Sequence, residues 1–189
     1  LEIGPGIGTL TRELAKKVKK VIGIEKDPKM TEILKELLEC WNVGNVEIIQ
    51  GDILKINPKY YIPYSKFYKI IANLPFYLAA PVIRQFLEIE NPPKEMVLVV
   101  QKEVGQRICP PSLKLRRAGA KPRMNLLAVS VQFYARPEII SYISKKSFWP
   151  SPKVDSAIIR IAPLINADRK LINADLFFQV VKAGFSQPR

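Results

Sequence analysis

The chain has 189 residues, with 30 Lys+Arg against 17 Asp+Glu and no histidine, for a formal charge of +13. With 48% hydrophobic residues and only 9 glycines, it is neither a disordered basic tail nor a low-complexity array, and its length suits one sizeable core with a small appendage. The charge points to a polyanionic partner without separating nucleic acid from an anionic membrane surface, and the missing imidazole excludes the commonest metal ligand and Ser-His-Asp chemistry.

Leu1-Glu2-Ile3 runs into Gly4-Pro5-Gly6-Ile7-Gly8, after which Leu10, Leu14 and Val18 recur at spacing four, which predicts strand, glycine loop and helix. Thr9 is the expected N-cap, and Lys16, Lys17, Lys19 and Lys20 collect near the end of the helix, where cations complement its dipole. Val21 to Ile24 reads as a buried strand ending on Glu25, and Asp27-Pro28 opens a second helix with apolar face Ile33, Leu34, Leu37 and Leu38. Strands Val46–Ile49 and Tyr68–Ala72 follow, the first ending at Gly51-Asp52 and the second at Asn73-Leu74-Pro75-Phe76. Pro81 to Leu87 then reads as a helix, Met96 to Val100 as a strand and Lys102 to Ile108 as a short helix. Leu126–Tyr134, Ile139–Ile143 and Val154–Ala162 read as later strands with antiparallel pairs among them, and Ala174–Phe185 as a helix after a boundary near Ile165. Strands alternating with helices predict an α/β fold around a mostly parallel, doubly wound sheet, with ligands beyond the carboxyl ends of the strands.

Gly4 to Gly8, Glu25, Asp52 and Asn73 all fall at such ends. The dinucleotide fingerprint would need a third glycine at position 9, where Thr9 stands, which counts against a nicotinamide oxidoreductase. The glycines fall instead in an E-x-G-x-G-x-G run beginning at Glu2, the pattern of Rossmann-like methyltransferases that use S-adenosylmethionine. In such a site Glu25 can accept from ribose hydroxyls and Asp52 from an adenine amine. Asn73-Leu74-Pro75-Phe76 is similar to the [DNS]-[IVLP]-P-[YFW] motif of enzymes that methylate exocyclic or planar amide nitrogens. An adenine amine is a poor nucleophile because its lone pair is delocalised into the ring. The Asn73 side-chain oxygen and the Leu74 carbonyl can hold both of its hydrogens, Pro75 stiffens that carbonyl, and Phe76 can stack on the base. Such catalysis rests on positioning and electrostatics without a titrating base, in agreement with the absence of histidine.

The segment Ser147-Phe148-Trp149-Pro150-Ser151-Pro152-Lys153-Val154-Asp155-Ser156 resembles the F-x-P-x-P-K-V-D-S segment of the ribosomal RNA adenine N6,N6-dimethyltransferase family, and Gln101 to Val104 and Ala183 to Gln187 are similar to its Q-K-E-V and A-x-F-S-Q stretches. The resemblance runs through the whole chain in order. It implies a class I methyltransferase sheet over residues 1–165 and the start of a small C-terminal helical domain over 166–189. It also implies S-adenosylmethionine as cofactor and dimethylation of two adjacent adenosines near the 3′ end of small-subunit ribosomal RNA, free or in an assembling subunit. On matching positions it implies cofactor contacts from Glu2, Gly4, Gly6, Glu25, Asp52, Ile53 and Asn73. A target-base site is implied from Asn73, Leu74, Pro75 and Phe76, with Phe148 on the base's other face. Phe76 stands where the family most often has tyrosine, and Pro110 to Arg123 departs from the family's G-x-x-x-Y-G-R connection. Related readings are the large-subunit enzyme of the macrolide-resistance type, disfavoured by Phe148 to Ser156, and a nucleic-acid-binding transcription factor descended from this fold.

Lys114, Arg116, Arg117, Lys121 and Arg123 form a run without one acid, and Lys145, Lys146 and Lys153 flank the Phe148-Trp149 loop. Basic groups that track phosphates beside aromatics that hold an unstacked base are how looped RNA is commonly gripped; a solvated basic face is the other reading of the first run. Cys40 and Cys109 read as two buried thiols, in no metal or redox motif. No apolar run approaches the ~20 residues of a membrane span, and no signal peptide is evident, so a monomeric cytoplasmic protein is expected. Leu1 already lies in a strand pattern, and the sequence reads as part of a longer chain.

Overall fold

The computed structural model describes residues 1–62, 67–110, 125–164 and 174–186. In chain order the elements are β1 (Glu2–Ile3), α1 (Thr9–Ala15), β2 (Val21–Glu25), α2 (Pro28–Cys40), β3 (Val46–Gln50), β4 (Lys69–Asn73), α3 (Ala79–Glu88), β5 (Glu95–Gln101), α4 (Lys102–Ile108), α5 (Leu126–Tyr134), β6 (Ala135–Ile143), β7 (Ser156–Pro163) and α6 (Ala174–Ser186). The strands form one seven-stranded sheet in the order β3-β2-β1-β4-β5-β7-β6. Strands β1 to β5 pair in parallel, whereas β7 runs antiparallel to both β5 and β6. The switch in direction follows from the connections: α1, α2 and α3 return the chain after β1, β2 and β4, and a longer segment with a 3-10 turn at Pro58–Tyr60 does so after β3, while β6 and β7 form a long hairpin.

Residue type dictates position in this sheet. β2 is apolar through Ile24 and all five of its residues are buried, as expected of a central parallel strand covered on both faces. In β5 the alternation sends Met96, Leu98 and Val100 into the core. There they join Ile3, Ile24, Ile70 and Ala72 from neighbouring strands and Val82, Ile83, Phe86 and Leu87 from α3. α6 docks through two of its three phenylalanines: Phe177 stacks on Phe133 of α5 at 4.2 Å, and Phe178 meets Phe133 at 5.3 Å edge-on.

Five expectations are corrected. Leu126–Tyr134 is a helix, not a strand: Asn125 caps it, its side chain accepting the Ala128 amide at 2.8 Å. Ser130 and Gln132 alternate with Val129, Val131 and Phe133 in the two-residue period of a strand, and the cap decides for a helix. Thr9 is the first residue of α1 and not its cap; Gly8 holds that place in the left-handed region without a side-chain bond. α1 also ends at Ala15, so Val18 leaves the predicted face and is 44% exposed. The helix end is closed by Asn45, whose side-chain amide donates to the carbonyls of Ala15 and Val18 at 2.8 and 2.9 Å. Ile33 is likewise exposed, and Cys40 is exposed where burial was expected, while Cys109 is buried and its thiol is pushed up to about 12 by that burial. The predicted domain boundary near Ile165 lies outside the described residues.

The glycine loop shows why three glycines recur at alternate positions. Gly4, Gly6 and Gly8 have φ of 67°, 57° and 79°, where a side chain is strained. At Gly4 and Gly6 the space a Cβ would take is open, whereas at Gly8 it would lie 2.3 Å from Leu34 Cδ1 and 3.3 Å from the Trp41 ring. Gly8→Ala therefore combines left-handed strain of about 1–2 kcal/mol with overpacking of about 1–3 kcal/mol between α1 and α2, while Gly6→Ala bears the strain alone. Urea midpoints should fall clearly further for Gly8→Ala; equal losses would remove the packing role given to Gly8.

Candidate functional site

The parallel register places the predicted residues side by side. Ile3 is paired with Ile24 on one side and Ala72 on the other. The next residues, Gly4, Glu25 and Asn73, are therefore level at the carboxyl edge of three adjacent strands. Glu25 in turn pairs with Gln50, so Asp52 lies just past the end of the fourth strand in this row. At ~4.8 Å between strands, the four ends span roughly 15 Å. The concave edge of the glycine loop, with nothing within 4 Å of the Cβ positions of Gly4 and Gly6, leaves the backbone open to a ligand beside this row.

Glu25 is held in one orientation. It is 8% exposed, and its Oε2 accepts the Gly6 amide at 3.0 Å while Oε1 accepts the Asp27 amide at 3.0 Å. Each oxygen keeps a second lone pair for a hydroxyl. The same side chain thus ties the glycine loop to the start of α2, where the Asp27 carboxylate caps the Lys29 amide at 2.8 Å. Asp52 is nearer solvent: Oδ1 accepts the Leu54 amide at 3.1 Å and Oδ2 faces Lys26 Nζ at 3.0 Å. The Leu54 amide first, and Lys26 second, lower its pKa. Ile53, beside it, is 4% exposed and packs in the main core, so its side chain forms the floor behind the acid. The Gln85 amide fixes the turn from below by donating to the Ile53 carbonyl at 3.1 Å.

Glu2 differs from the other acids. It is 2% exposed and its Oε2 has no hydrogen-bond partner, as is also true of the buried Thr11 hydroxyl. Burial raises the Glu2 pKa, and Thr11 is close enough to counter this in part although the two do not meet in ordinary hydrogen-bond geometry. A buried carboxyl of this kind lies beneath the glycine loop and not at its open surface.

At the end of β4, Asn73 is exposed, and its amide makes none of the hydrogen bonds found among the described residues. Leu74 next to it is 4% exposed. Its side chain anchors the turn in the core, and the Pro75 carbonyl closes the turn by accepting the Leu78 amide at 2.9 Å. Phe76 and Tyr77 then stand 43% and 73% exposed. One side chain is pinned, one ring is fixed by proline, and polar and aromatic groups project at the edge: this is a rigid presenting loop.

A second loop leaves the same edge. Gln101 at the end of β5 pairs with Ser156 at the start of β7, while Val99 pairs with Asn73. The β6–β7 connection bearing Phe148 therefore emerges about two residues beyond the level of Asn73. Phe148 is half-buried and Lys145, Lys146 and Lys153 are exposed. Lys114, Arg116 and Arg117 lie outside the described residues. Lys26, Tyr77 and Gln85 were not singled out from sequence. A lysine beside Glu25 and a glutamine next to the apolar face of α3 are weak signals that become meaningful only once the strand ends are aligned.

A family model described as ribosomal RNA adenine dimethylase matches residues 1–189. The chain is 39% identical over 189 residues to a protein of Dehalococcoides mccartyi named ribosomal RNA small subunit methyltransferase A, covering all of this chain and 61% of that protein. Among solved structures it is similar to a dimethyladenosine transferase from Plasmodium falciparum, with TM-score 0.74, 30% identity, 92% of this chain and 58% of the other. It is also similar to the 23S rRNA methyltransferase ErmE, with TM-score 0.69, 28% identity, 86% of this chain and 60% of the other. The chain thus spans about three fifths of the length of these relatives.

Two electrostatic predictions follow from the acids. Because burial raises the Glu2 pKa above its ordinary 4.5, the folded protein retains a proton that the unfolded chain has released, and stability falls as pH rises from about 4.5 through the raised value. Glu2→Gln should flatten this slope in urea midpoints measured across that range; an unchanged slope would assign it to other groups. Lys26→Met should move the Asp52 carboxyl up toward its ordinary value without reaching it, since the Leu54 amide remains. A carboxyl-carbon NMR titration that showed no shift would remove the ion pair.

Proposed function

Since the chain belongs to the ribosomal RNA adenine dimethylase family along its whole length, we propose that the protein transfers methyl groups from S-adenosylmethionine to the N6 amines of two adjacent adenosines near the 3′ end of small-subunit ribosomal RNA. The observation that carries the proposal is the level row of Gly4, Glu25 and Asn73, with Asp52 beside it. This row sets a cofactor-type glycine loop and two acceptor acids against an amide and an aromatic turn. The name of the Dehalococcoides mccartyi relative supports the small subunit as the source of the RNA. So does the segment from Phe148 to Ser156. In this reading the protein works as a cytoplasmic monomer during small-subunit maturation; no helix among the described residues is long and apolar enough to cross a membrane.

The residues fit the cofactor. Gly4 and Gly6 offer unobstructed backbone, and Glu25, already oriented by two amides, has lone pairs left for the ribose hydroxyls. Asp52 accepts from the adenine amine, which must share the carboxylate with Lys26. The cofactor supplies an electrophilic methyl group. Asn73 and the Leu74 carbonyl hold the two hydrogens of the target amine, which turns its lone pair out of conjugation and toward that methyl group. Phe76 supports one face of the extruded base and Phe148 closes on the other. Base extrusion is required because the amine cannot be reached inside a stack. The proton lost from the amine after transfer can pass to solvent, so Asn73 orients and need not titrate.

Full-length enzyme incubated with labelled S-adenosylmethionine and immature small subunits should place label on two neighbouring adenosines near the RNA 3′ end. Asn73→Ala should lower that transfer by about 10²–10³-fold, the usual loss when a fixed transition-state contact is removed, with cofactor affinity little changed. Label found only in large-subunit RNA would favour the resistance-type enzyme instead, and full activity of Asn73→Ala would reject the base site.

A further inference from the structure

Two aromatic residues occupy adjacent positions in the loop between β6 and β7, but their environments differ. Phe148 is half-buried, whereas the Trp149 ring is 98% exposed, more than any other large apolar side chain among the described residues. Rings on neighbouring residues with such different burial do not cover the same ligand. If Phe148 closes over the target base, Trp149 faces outward and away from it.

The loop that carries Trp149 is braced. Its first turn is a short 3-10 helix, Lys145–Ser147, capped by Ser144. The Lys145 amide donates to Asp155 Oδ1 at 3.1 Å, and the Ser151 hydroxyl donates back to the Lys145 carbonyl at 2.9 Å. Asp155 also faces Lys102 at 3.7 Å, which fastens the loop to the start of α4. The strand ends carry it over the carboxyl edge: Ser156 pairs with Gln101, two residues past the partner of Asn73. It therefore rises about 7 Å beyond Asn73 and about 10 Å to the side, two strands away. Three exposed cations, Lys145, Lys146 and Lys153, lie on the same connection within four residues of Trp149. A large flat apolar surface on a braced loop that also carries cations, beside a site that handles one base, has the chemistry of a stacking platform for single-stranded nucleic acid.

We propose that Trp149 stacks on a nucleobase adjacent to the target adenosines, with Lys145, Lys146 and Lys153 holding the intervening phosphates, so that the strand is gripped beside the base that is extruded. The inference rests on the RNA-methyltransferase reading above and deepens it by assigning a second base subsite. Its contribution belongs to binding and register. Trp149 touches neither the reacting amine nor the cofactor.

The test uses the full-length enzyme and single-stranded RNA oligonucleotides that contain two adjacent adenosines, either with intact neighbours or with an abasic nucleotide immediately before or after the pair. Binding is titrated directly, without cofactor, so it reports on Trp149 even if no methylation occurs. Trp149→Ala should weaken binding about tenfold, within the range of one lost base stack, and Trp149→Tyr should restore most of it. With methyl transfer as the readout, KM for RNA should rise while kcat at saturating RNA and cofactor affinity stay unchanged. One of the abasic RNAs should cost the wild type the same factor and cost Trp149→Ala almost nothing. Equal binding by wild type and Trp149→Ala, or an equal loss on all RNAs, would overturn the subsite. A loss confined to assembled subunits and absent on free RNA would also overturn it, since it would assign the ring to a protein surface. Failure of the function itself has a different signature: no label transferred to any RNA, with the binding cycle intact.

Discussion

The register of β2, β1 and β4 is the constraint on which the site depends. A one-residue slip between β1 and β4 would turn Asn73 to the opposite face of the sheet and take it out of line with Gly4. The core prevents such a slip: Ile3, Ile24, Ile70 and Ala72 are all at or below 2% exposure, and a shift of β4 in either direction would carry Lys69 or Asn73 into the core. The apolar packing thus specifies the alignment of polar groups that it does not itself contact. Glu25 adds a cross-tie, because its two backbone hydrogen bonds join the glycine loop to the entrance of α2.

The three acids and one amide at this edge have different electrostatic settings. Glu2 is enclosed and favours its protonated form, Glu25 is buried but satisfied by amides, and Asp52 lies at the surface beside Lys26. Asn73 carries no charge. This gradient suits a site that must hold a polar ligand at one end and a neutral amine at the other. An anion placed at Asn73 would strengthen the hydrogen bonds to the amine but would itself titrate, whereas an amide keeps its acceptor at every pH.

Much of this was legible in the sequence because the relevant signals are local. Strand, glycine loop and helix follow from residue spacing around Gly4 to Gly8, and Asp27-Pro28 marks the start of α2 by the same chemistry that the structure shows. The misreadings share a cause. Leu126–Tyr134 has Ser130 and Gln132 at alternate positions, as a strand would, and its form was decided by Asn125 and by packing against α3 and α4. Val18 matched the helical period, but the Asn45 side chain, 27 residues away, closes that end of α1. Cys40 is exposed because it ends a helix whose buried face is set by Thr31, Leu34 and Leu38. Lys26 had no motif to announce it, and its relation to Asp52 exists only because β2 and β3 are neighbours. Long-range contacts of this kind leave no trace in spacing.

The distribution of charge bears on how affinity and chemistry are divided. Near the acids at the strand ends the cation is paired: Lys26 faces Asp52. At the β6–β7 loop, Lys145, Lys146 and Lys153 are exposed, and the nearest acid, Asp155, spends one oxygen on a backbone amide and directs the other to Lys102. In the proposed function that arrangement has a physical logic. Cations that attract phosphates lose their effect if they are neutralised locally, but a cation close to the target amine would draw its lone pair down and slow attack. Keeping the lysines on a loop two strands from Asn73 lets the electrostatic field gather RNA over a distance comparable with the ~10 Å screening length, while the amine itself meets only neutral acceptors. In that reading the net charge of +13 serves encounter and grip, and the proposed base site is kept free of it.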